Sequence, residues 1–357
     1  MAGINDVAKR AGVSISTVSN VLNKNKFVSE ELVQRVNQAV RELEYTANPI
    51  AQKMKFKHTK TIGVISADLC GLFYPYILKG IYSAFNSKGY RLIVMDTEGI
   101  NNNVGSIKKL RDSVTSLVKD RVDGIVFSST IPEEMEADII NDVMKLSVSA
   151  KSTAFVCVEK DMSGFGIDSV YANSEAGADI ATTHLIDAGC RRIGHITGPY
   201  YFTVAQDRIA GFKNAIKRAG LDIDDGRMIA NGDYTHKSGY LAMKELLHKM
   251  PNLDGVFSAN DQMAVGAMKA IFEAGKRIPE DIKVIGYDDV FVASVLEPSL
   301  STIHVQKHAM GKKAAELLIG QIENNAAPGS AVELDSKLVI RRSTVRDAPE
   351  DWILVDW

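Results

Sequence analysis

Four short stretches of this chain carry side chains suited to holding a small polar molecule. They are Phe73-Tyr74-Pro75, Gly198-Pro199 with Arg208 shortly after, Asn260-Asp261-Gln262 and Gly286-Tyr287-Asp288-Asp289. Aromatic rings stack on the apolar faces of sugars and heterocycles, and charged or amide groups anchor hydroxyls and carboxylates. The chemistry is binding, because the usual sequences for phosphate, hydride or acyl transfer are missing. There is no Gly-x-x-x-x-Gly-Lys-Ser/Thr, no Gly-x-Gly-x-x-Gly, no His-Glu-x-x-His and no Gly-x-Ser-x-Gly. His304 and His308 are spaced for one helix face, but no carboxylate or cysteine pattern accompanies them. Neither a metal nor a cofactor is expected. Taken singly, each binding residue has a plainer reading: Asn260 or Asp288 as a helix cap, Arg208 in a surface ion pair, Phe73 in the core.

The elements that would bring these stretches together are short apolar strands alternating with helices. Strands are expected at Thr61–Ser66, Tyr90–Asp96, Asp123–Ser128, Thr153–Val158, Arg192–Thr197, Met228–Asn231, Asp254–Ser258 and Lys283–Tyr287. Helices are expected at Tyr74–Lys88, Ser106–Lys119, Glu175–Ala188, Ala205–Ala219, Lys237–Leu247 and Asp261–Ala274. The alternation predicts an α/β body of parallel, doubly wound sheets. Eight strands are more than one sheet comfortably holds, and ligands bind beyond the carboxyl ends of such strands. Two subdomains with a cleft between them follow.

The first sixty residues have a different texture. Ile4, Val7, Ala8 and Ala11 keep helical spacing, Gly12 permits a sharp turn, and Ser14 is a natural N-cap for a second helix. That helix turns Val18, Val21 and Leu22 inward and leaves Ile15, Ser16, Ser19 and Asn20 outside. A third amphipathic helix runs from about Glu30 to Glu44 with Ser29 as its cap. Two short helices across a tight turn fit the major groove of DNA. Residues 1–60 hold ten Lys and Arg against five acids, a net +5, while the remainder holds 32 basic and 39 acidic residues, a net −7. The overall charge of −2 hides this asymmetry, which suits a DNA-binding head on a non-binding body. Between them, Asn48-Pro49 reads as a helix start, with Ile50 and Met54 on one face of a helix too short to stand alone.

The run Asp6-Val-Ala-Lys-Arg-Ala-Gly-Val-Ser14-x-x-Thr17-Val-Ser19-x-Val-Leu-Asn23 resembles the head of the LacI/GalR family of transcriptional repressors almost position by position. In the body, Gly198-Pro199…Arg208-x-x-Gly211-Phe212, Asn260-Asp261-x-Met263-Ala264-x-Gly266, Gly286-Tyr287-Asp288-Asp289 and Ser301-Thr302-Ile303-His304 resemble the family's regulatory domain, itself similar to periplasmic sugar-binding proteins. The resemblance covers Ile4 to Arg342. It implies a helix-turn-helix head at 1–46, a hinge helix and linker at 47–60, an effector-binding and dimerisation domain at 61–342, and a tail at 343–357. It implies that Ile15, Ser16 and Asn20 read base edges and that Asn5, Ser14, Thr17, Ser19 and Asn23 fix the register on the backbone. Asn48 would start a hinge helix that forms when two subunits lie side by side on the operator. Met54 would be the minor-groove wedge, where Leu is usual in the family, with Lys53, Lys55 and Lys57 on phosphates. In the cleft, Phe73 and Tyr74 would line the effector, Arg208 and Asp288 clamp it, and Asn260 supply a polar contact.

The sequence departs from the family's pattern in places. Many members have Arg where this chain has Asn20, so the guanine contact such an Arg makes is lost. Asn20 would pair with adenine or touch phosphate, and Ile15 would offer an apolar contact such as to a thymine methyl. Ala172 stands before Asn173 where the family usually has Asp, and Phe202 is apolar where a relative can be polar. The effector is therefore expected to be a sugar or sugar derivative not borrowed from any single relative, with inducer and corepressor both open. The expected partners are operator DNA, the effector and a second copy of the chain, because one head grips one half-site. The tail is too short, and carries Pro349, for a helix that pairs dimers; Trp352 and Trp357 have no derivable role. Cys70, Cys157 and Cys190 lie far apart, as free thiols do in a reducing cytoplasm. With no signal core and no long apolar run, a cytoplasmic protein is expected. A transport binding protein would share the body but not the basic head; an enzyme would need motifs that are missing.

Overall fold

The computed structural model describes residues 2–23, 26–45, 58–98, 103–128, 138, 140–142, 145 and 153–349. The expected hinge helix, with Asn48 and Met54, lies outside the described residues, as do Trp352, Trp357 and the side chain of Asn23. The chain divides into two compact units, Met1–Thr59 and Lys60–Trp357.

The first unit contains α1 (Ile4–Ala11), α2 (Ile15–Asn23) and α3 (Glu30–Glu42) around a core of Val7, Ala8, Ala11, Val18, Val36 and Ala39. Gly12 ends α1 at φ +64, in the left-handed region that a Cβ disfavours. Arg35 on α3 donates from Nη2 to the Ala11 carbonyl at 2.7 Å and so pins this turn from below. Ser14 caps α2 as its position predicts, its Oγ accepting from the Thr17 N–H at 3.1 Å. Ser29 sits at the N-cap position of α3, but its exposed side chain makes no cap bond there; the backbone carbonyl alone receives the Val33 N–H.

The second unit holds two parallel sheets. The larger has the order β11-β5-β4-β3-β1-β2, from β1 (Thr61–Ser66), β2 (Arg91–Asp96), β3 (Gly124–Ser128), β4 (Ala154–Val158), β5 (Asp168–Ala172) and β11 (Ala331–Leu334). The smaller has the order β7-β6-β8-β9, from β6 (Ile193–Thr197), β7 (Ile229–Asn231), β8 (Gly255–Ser258) and β9 (Lys283–Ile285). All eight expected strands are present within a few residues of their expected ends. The additions are β5, β10 (Thr302–His304), β11 and β12 (Lys337–Val339), of which β10 and β12 pair antiparallel. Segments of three to five residues carry too little periodicity to declare themselves, and β11 joins the sheet only because the chain returns to it at the end.

The chain passes between the subdomains at 172–174, 305–307 and 334–337. Side by side on the first subdomain lie the helices α4 (Tyr74–Asn86) and α12 (Lys307–Asn324), with α5 (Asn103–Lys119) between them in sequence; on the second, α6 (Ser174–Asp187) packs with α7 (Thr203–Arg218), and α9 (His236–Lys249) with α10 (Asp261–Glu273), while α8 (Asp225–Met228) and α11 (Phe291–Val295) are short. Gly266 lets α9 and α10 abut, since a Cβ there would strike the His236 carbonyl. The packed chain continues beyond the expected edge at 342. Ser343 and Thr344 are buried, and Ser343 bridges the strand ends through Val284 and Ser301, so the tail begins after them.

Gly12→Val should strain the α1–α2 turn by about 1–2 kcal/mol and loosen the head alone. Hydrogen exchange should speed up in α1–α3 and stay unchanged in β1–β9; uniform loosening of both units would contradict the division between them.

Candidate functional site

Both sheets direct their carboxyl ends to one cleft of ≈ 870 Å³, counting its open mouth. Phe73, Tyr74 and Glu159 line it from the first subdomain, and Phe202, Arg208, Tyr234, Asn260 and Asp288 from the second. The five residues expected at the effector site are thus gathered in one place. Phe73 and Tyr74 open α4 with their rings edge to face, 5.4 Å apart. Arg208 lies in the second turn of α7, and Asp288 and Asn260 follow β9 and β8.

Arg208 is held on three sides. Its guanidinium lies 3.9 Å from the centre of the Tyr287 ring, Nη1 donates to the Ala259 carbonyl, and Nη2 stands 3.7 Å from Asp288 Oδ1. Its Nε is buried with no partner among the described residues. The side chains of Arg208 and Asp288 are 9% and 10% exposed, so the surface-pair reading of Arg208 does not hold. Burial pushes the Asp288 carboxyl up to about 6, against the opposing pull of Arg208 and Lys307. Asn260 is both a cleft residue and a cap: its Oδ1 accepts from the Met263 N–H at 2.8 Å and its Nδ2 donates to the Tyr234 carbonyl at 3.1 Å.

Sequence reasoning missed two members of the site. Glu159 follows β4 directly and faces the Arg208–Asp288 pair from the other subdomain. Burial lifts its carboxyl to about 7; a hydrogen bond from Tyr74 lowers it, the Asp288 charge raises it and Arg208 lowers it. Tyr234, beyond β7, has its hydroxyl buried with no partner among the described residues, and burial raises it to about 12. The ring of Phe202 stacks near it at 6.5 Å and 22°. Applying the strand-end rule to β4 and β7 as well would have found both. Ala172 ends β5 and does not line the cleft.

Three residues that line this cleft have left-handed backbones without being glycine: Glu159 at φ 76, Tyr234 at φ 68 and Asp288 at φ 100. Each costs about 1–3 kcal/mol in general, so the packing around the cleft must hold them in place. Lys160 Nζ spans the mouth to Thr203 Oγ1 at 2.9 Å, joining the subdomains across the opening. His304, considered above as a metal ligand, instead places Nδ1 2.9 Å from Asp289 Oδ2.

On the head, Ile15 is 47% exposed, and Asn5, Ser14 and Ser16 are exposed. Thr17, Ser19 and Asn20 are half-buried, so the outer face of α2 is less open along its second turn than its spacing suggests. Ser14 Oγ lies 2.7 Å from Ser16 Oγ and 2.9 Å from Thr17 Oγ1, which presets the start of α2 before any partner arrives.

A helix-turn-helix unit joined to a two-sheet body with a cleft at its strand ends is the architecture of a ligand-controlled regulator. Residues 3–48 match the bacterial regulatory proteins of the lacI family, and residues 182–344 match the periplasmic binding protein-like domain. The chain belongs to the lacI family. It is 36% identical to the ribose operon repressor of Escherichia coli K12 over 345 residues, 96% of this chain and 100% of that one. It is 35% identical to the HTH-type transcriptional repressor PurR of Klebsiella pneumoniae over 351 residues, 98% of each. Among solved structures it is similar to the lac repressor dimer bound to operator and the anti-inducer ONPF, with a TM-score of 0.81 at 27% identity, covering 96% of this chain and 99% of that one. A lacI-family regulator from Enterococcus faecium with bound ribose gives 0.68 at 25%, covering 79% and 98%. No helix among the described residues is long and apolar enough to cross a membrane.

The Glu159 carboxyl titrates near 7 when folded and near 4.5 when exposed. The folded chain therefore keeps a proton that the unfolded chain has released, and ionisation costs stability as pH rises from about 4.5 to about 7. Glu159→Gln should gain melting temperature relative to the unaltered, effector-free chain across that window and hold the gain above it. Parallel melting curves from pH 4 to 8 would contradict the buried carboxyl.

Proposed function

We propose that this chain is a ligand-gated transcriptional repressor, acting as a cytoplasmic homodimer and not as an enzyme. Residues 1–46 read a near-palindromic operator through Ile15, Ser16 and Asn20, with Asn5, Ser14, Thr17, Ser19 and Asn23 setting register. Residues 47–60 form the hinge, in which Asn48 starts a helix and Met54 enters the minor groove. The body from 61 binds a sugar or sugar derivative through Phe73, Tyr74, Arg208, Asn260 and Asp288.

One observation carries the reading. Tyr74 and Glu159 face Arg208 and Asp288 from opposite subdomains, so a molecule in the cleft touches both and binds best when they stand at one separation. A ligand that prefers one arrangement shifts the population towards it, and that preference is what gating requires. The named relatives, the ribose operon repressor and the HTH-type transcriptional repressor PurR, support a repressor that answers to a small molecule.

Gel shift of the full chain on a palindromic library should select one site, with affinity falling steeply as salt rises. Absence of any selected site, with or without candidate sugars, would remove the reading. Arg208→Ala should abolish the response to the effector while leaving operator affinity within a few-fold; loss of both would count against Arg208 as a ligand clamp. Asn20→Arg should move the selected half-site towards guanine at one position, a change of about 1–3 kcal/mol in discrimination. An unaltered site would place Asn20 on the backbone.

A further inference from the structure

Glu159 and Lys160, adjacent at the end of β4, both reach from the first subdomain towards the second. We infer that closing the cleft takes up a proton at Glu159, so that the separation of the two subdomains answers to pH across the neutral range, independently of any effector. The inference rests on the reading of the body as a gate whose subdomains change separation.

Lys160 Nζ meets Thr203 Oγ1 at 2.9 Å across the mouth, and the Glu159 carboxyl lies inside the cleft with Arg208 and Asp288 opposite it. Drawing the subdomains apart breaks the Lys160–Thr203 contact and lets water reach that carboxyl. A carboxylate buried beside another carboxyl is costly and takes a proton instead, whereas a hydrated one stays ionised. Opening the cleft therefore releases the proton.

The groups around Glu159 decide which of them titrates with the motion. From its own subdomain, the Tyr74 hydroxyl of α4 donates to it, and Asp68 beyond β1 lines the same cleft. From the other subdomain come Arg208 of α7, Tyr234 beyond β7 and Asp288 beyond β9. Tyr287 and His195 stand beside Arg208, and Lys307 and Asp261 beside Asp288. Burial pushes His195 down to about 3 and Tyr234 up to about 12, and it holds Tyr74 well above its ordinary value, so none of these changes charge near neutrality. Asp261 is tied within the second subdomain, to Thr302 Oγ1 and the Val290 N–H. Asp288, at about 6, keeps its cations in either arrangement: Arg208 shares its subdomain, and Lys307 donates to the Asp288 carbonyl. Glu159 differs from all of them. Its dehydration and its repulsion by Asp288 both depend on the subdomain opposite, and opening removes them together.

The Glu159 carboxyl loses its proton near 7 in this arrangement and near 4.5 in water. A proton held by the closed form favours that form at low pH, and the preference fades as pH rises through 7. Between pH 6 and pH 8 the enclosed carboxyl passes from mostly protonated to mostly ionised, while the hydrated one is ionised throughout. The closed-to-open ratio therefore falls about tenfold over that range.

Spin labels at Asp161→Cys and Gln206→Cys, both exposed positions beside the Lys160–Thr203 contact, report the width of the mouth in the full chain carrying Cys70→Ser. With no sugar present, the wide population should grow about tenfold relative to the narrow one from pH 6 to pH 8. Glu159→Gln, which keeps the shape without the charge, should stay narrow at both. Should that variant fold poorly, Tyr74→Phe, which removes a donor that favours the ionised carboxyl, should move the midpoint to higher pH. A width indifferent to pH, or one that widens equally in Glu159→Gln, overturns the inference. Gel shift on the selected operator separates it from the gating reading. If the width answers to pH and operator affinity does not, the proton link stands and the gating reading fails; if operator affinity answers to a sugar while the width ignores pH, the inference alone falls.

Discussion

The arrangement of the cleft depends on a buried cluster of charges behind it, centred on Asp289. Arg341 Nη1 stands 2.8 Å from Asp289 Oδ1, and His304 Nδ1 2.9 Å from Oδ2. Lys307, fully buried, donates to the backbone carbonyls of Asp288, Asp289 and Val305. Burial alone would raise the Asp289 carboxyl; the His304 hydrogen bond and Arg341 keep it below its ordinary value. Such a cluster adds little net stability over an apolar core, but removing one partner leaves a bare buried charge, typically at about 3–5 kcal/mol. Its contribution is position. It ties together the loop after β9, β10, the start of α12 and the chain beyond β12, and β10 and α12 flank the crossing at 305–307.

Asp288 precedes this anchor by one residue, and both have positive φ. The backbone there cannot relax without disturbing the ion pairs, so the carboxyl lining the cleft is fixed by the joint beside the crossing at 305–307. Asp261 extends the joint: it accepts from Thr302 Oγ1 at 2.6 Å and from the Val290 N–H at 2.8 Å. A molecule that pulls on Asp288 and Glu159 together acts across a body joined by three crossings, one of them anchored by this cluster. This is the physical content of gating in this fold, since packed interfaces change by discrete rearrangement rather than continuous deformation.

The head follows a different economy. Its core is six small apolar side chains, and its shape depends on one glycine turn pinned by Arg35 and one serine cap. Ser14 was expected as both cap and backbone contact, and its Oγ is engaged by the Thr17 N–H, Ser16 and Thr17. Little on the α2 face is left to adjust, which makes the identities at Ile15, Ser16 and Asn20 matter more than their mobility.

The sequence alone determined the helical head, the parallel α/β body and the five residues Phe73, Tyr74, Arg208, Asn260 and Asp288 as neighbours. Those conclusions rest on local periodicity, on strand-end position and on word order shared with a family, all of which are written along the chain. Tertiary structure decided what is not local. It placed β11 beside β5 and brought Ser343 and Thr344 into the body. It left the Ser29 side chain without its expected bond. It also set Glu159 opposite Asp288, residues far apart in the chain whose meeting follows from two separate sheets converging at their carboxyl ends. A carboxyl's environment is a property of everything packed around it, and no spacing rule within one strand or helix can state it.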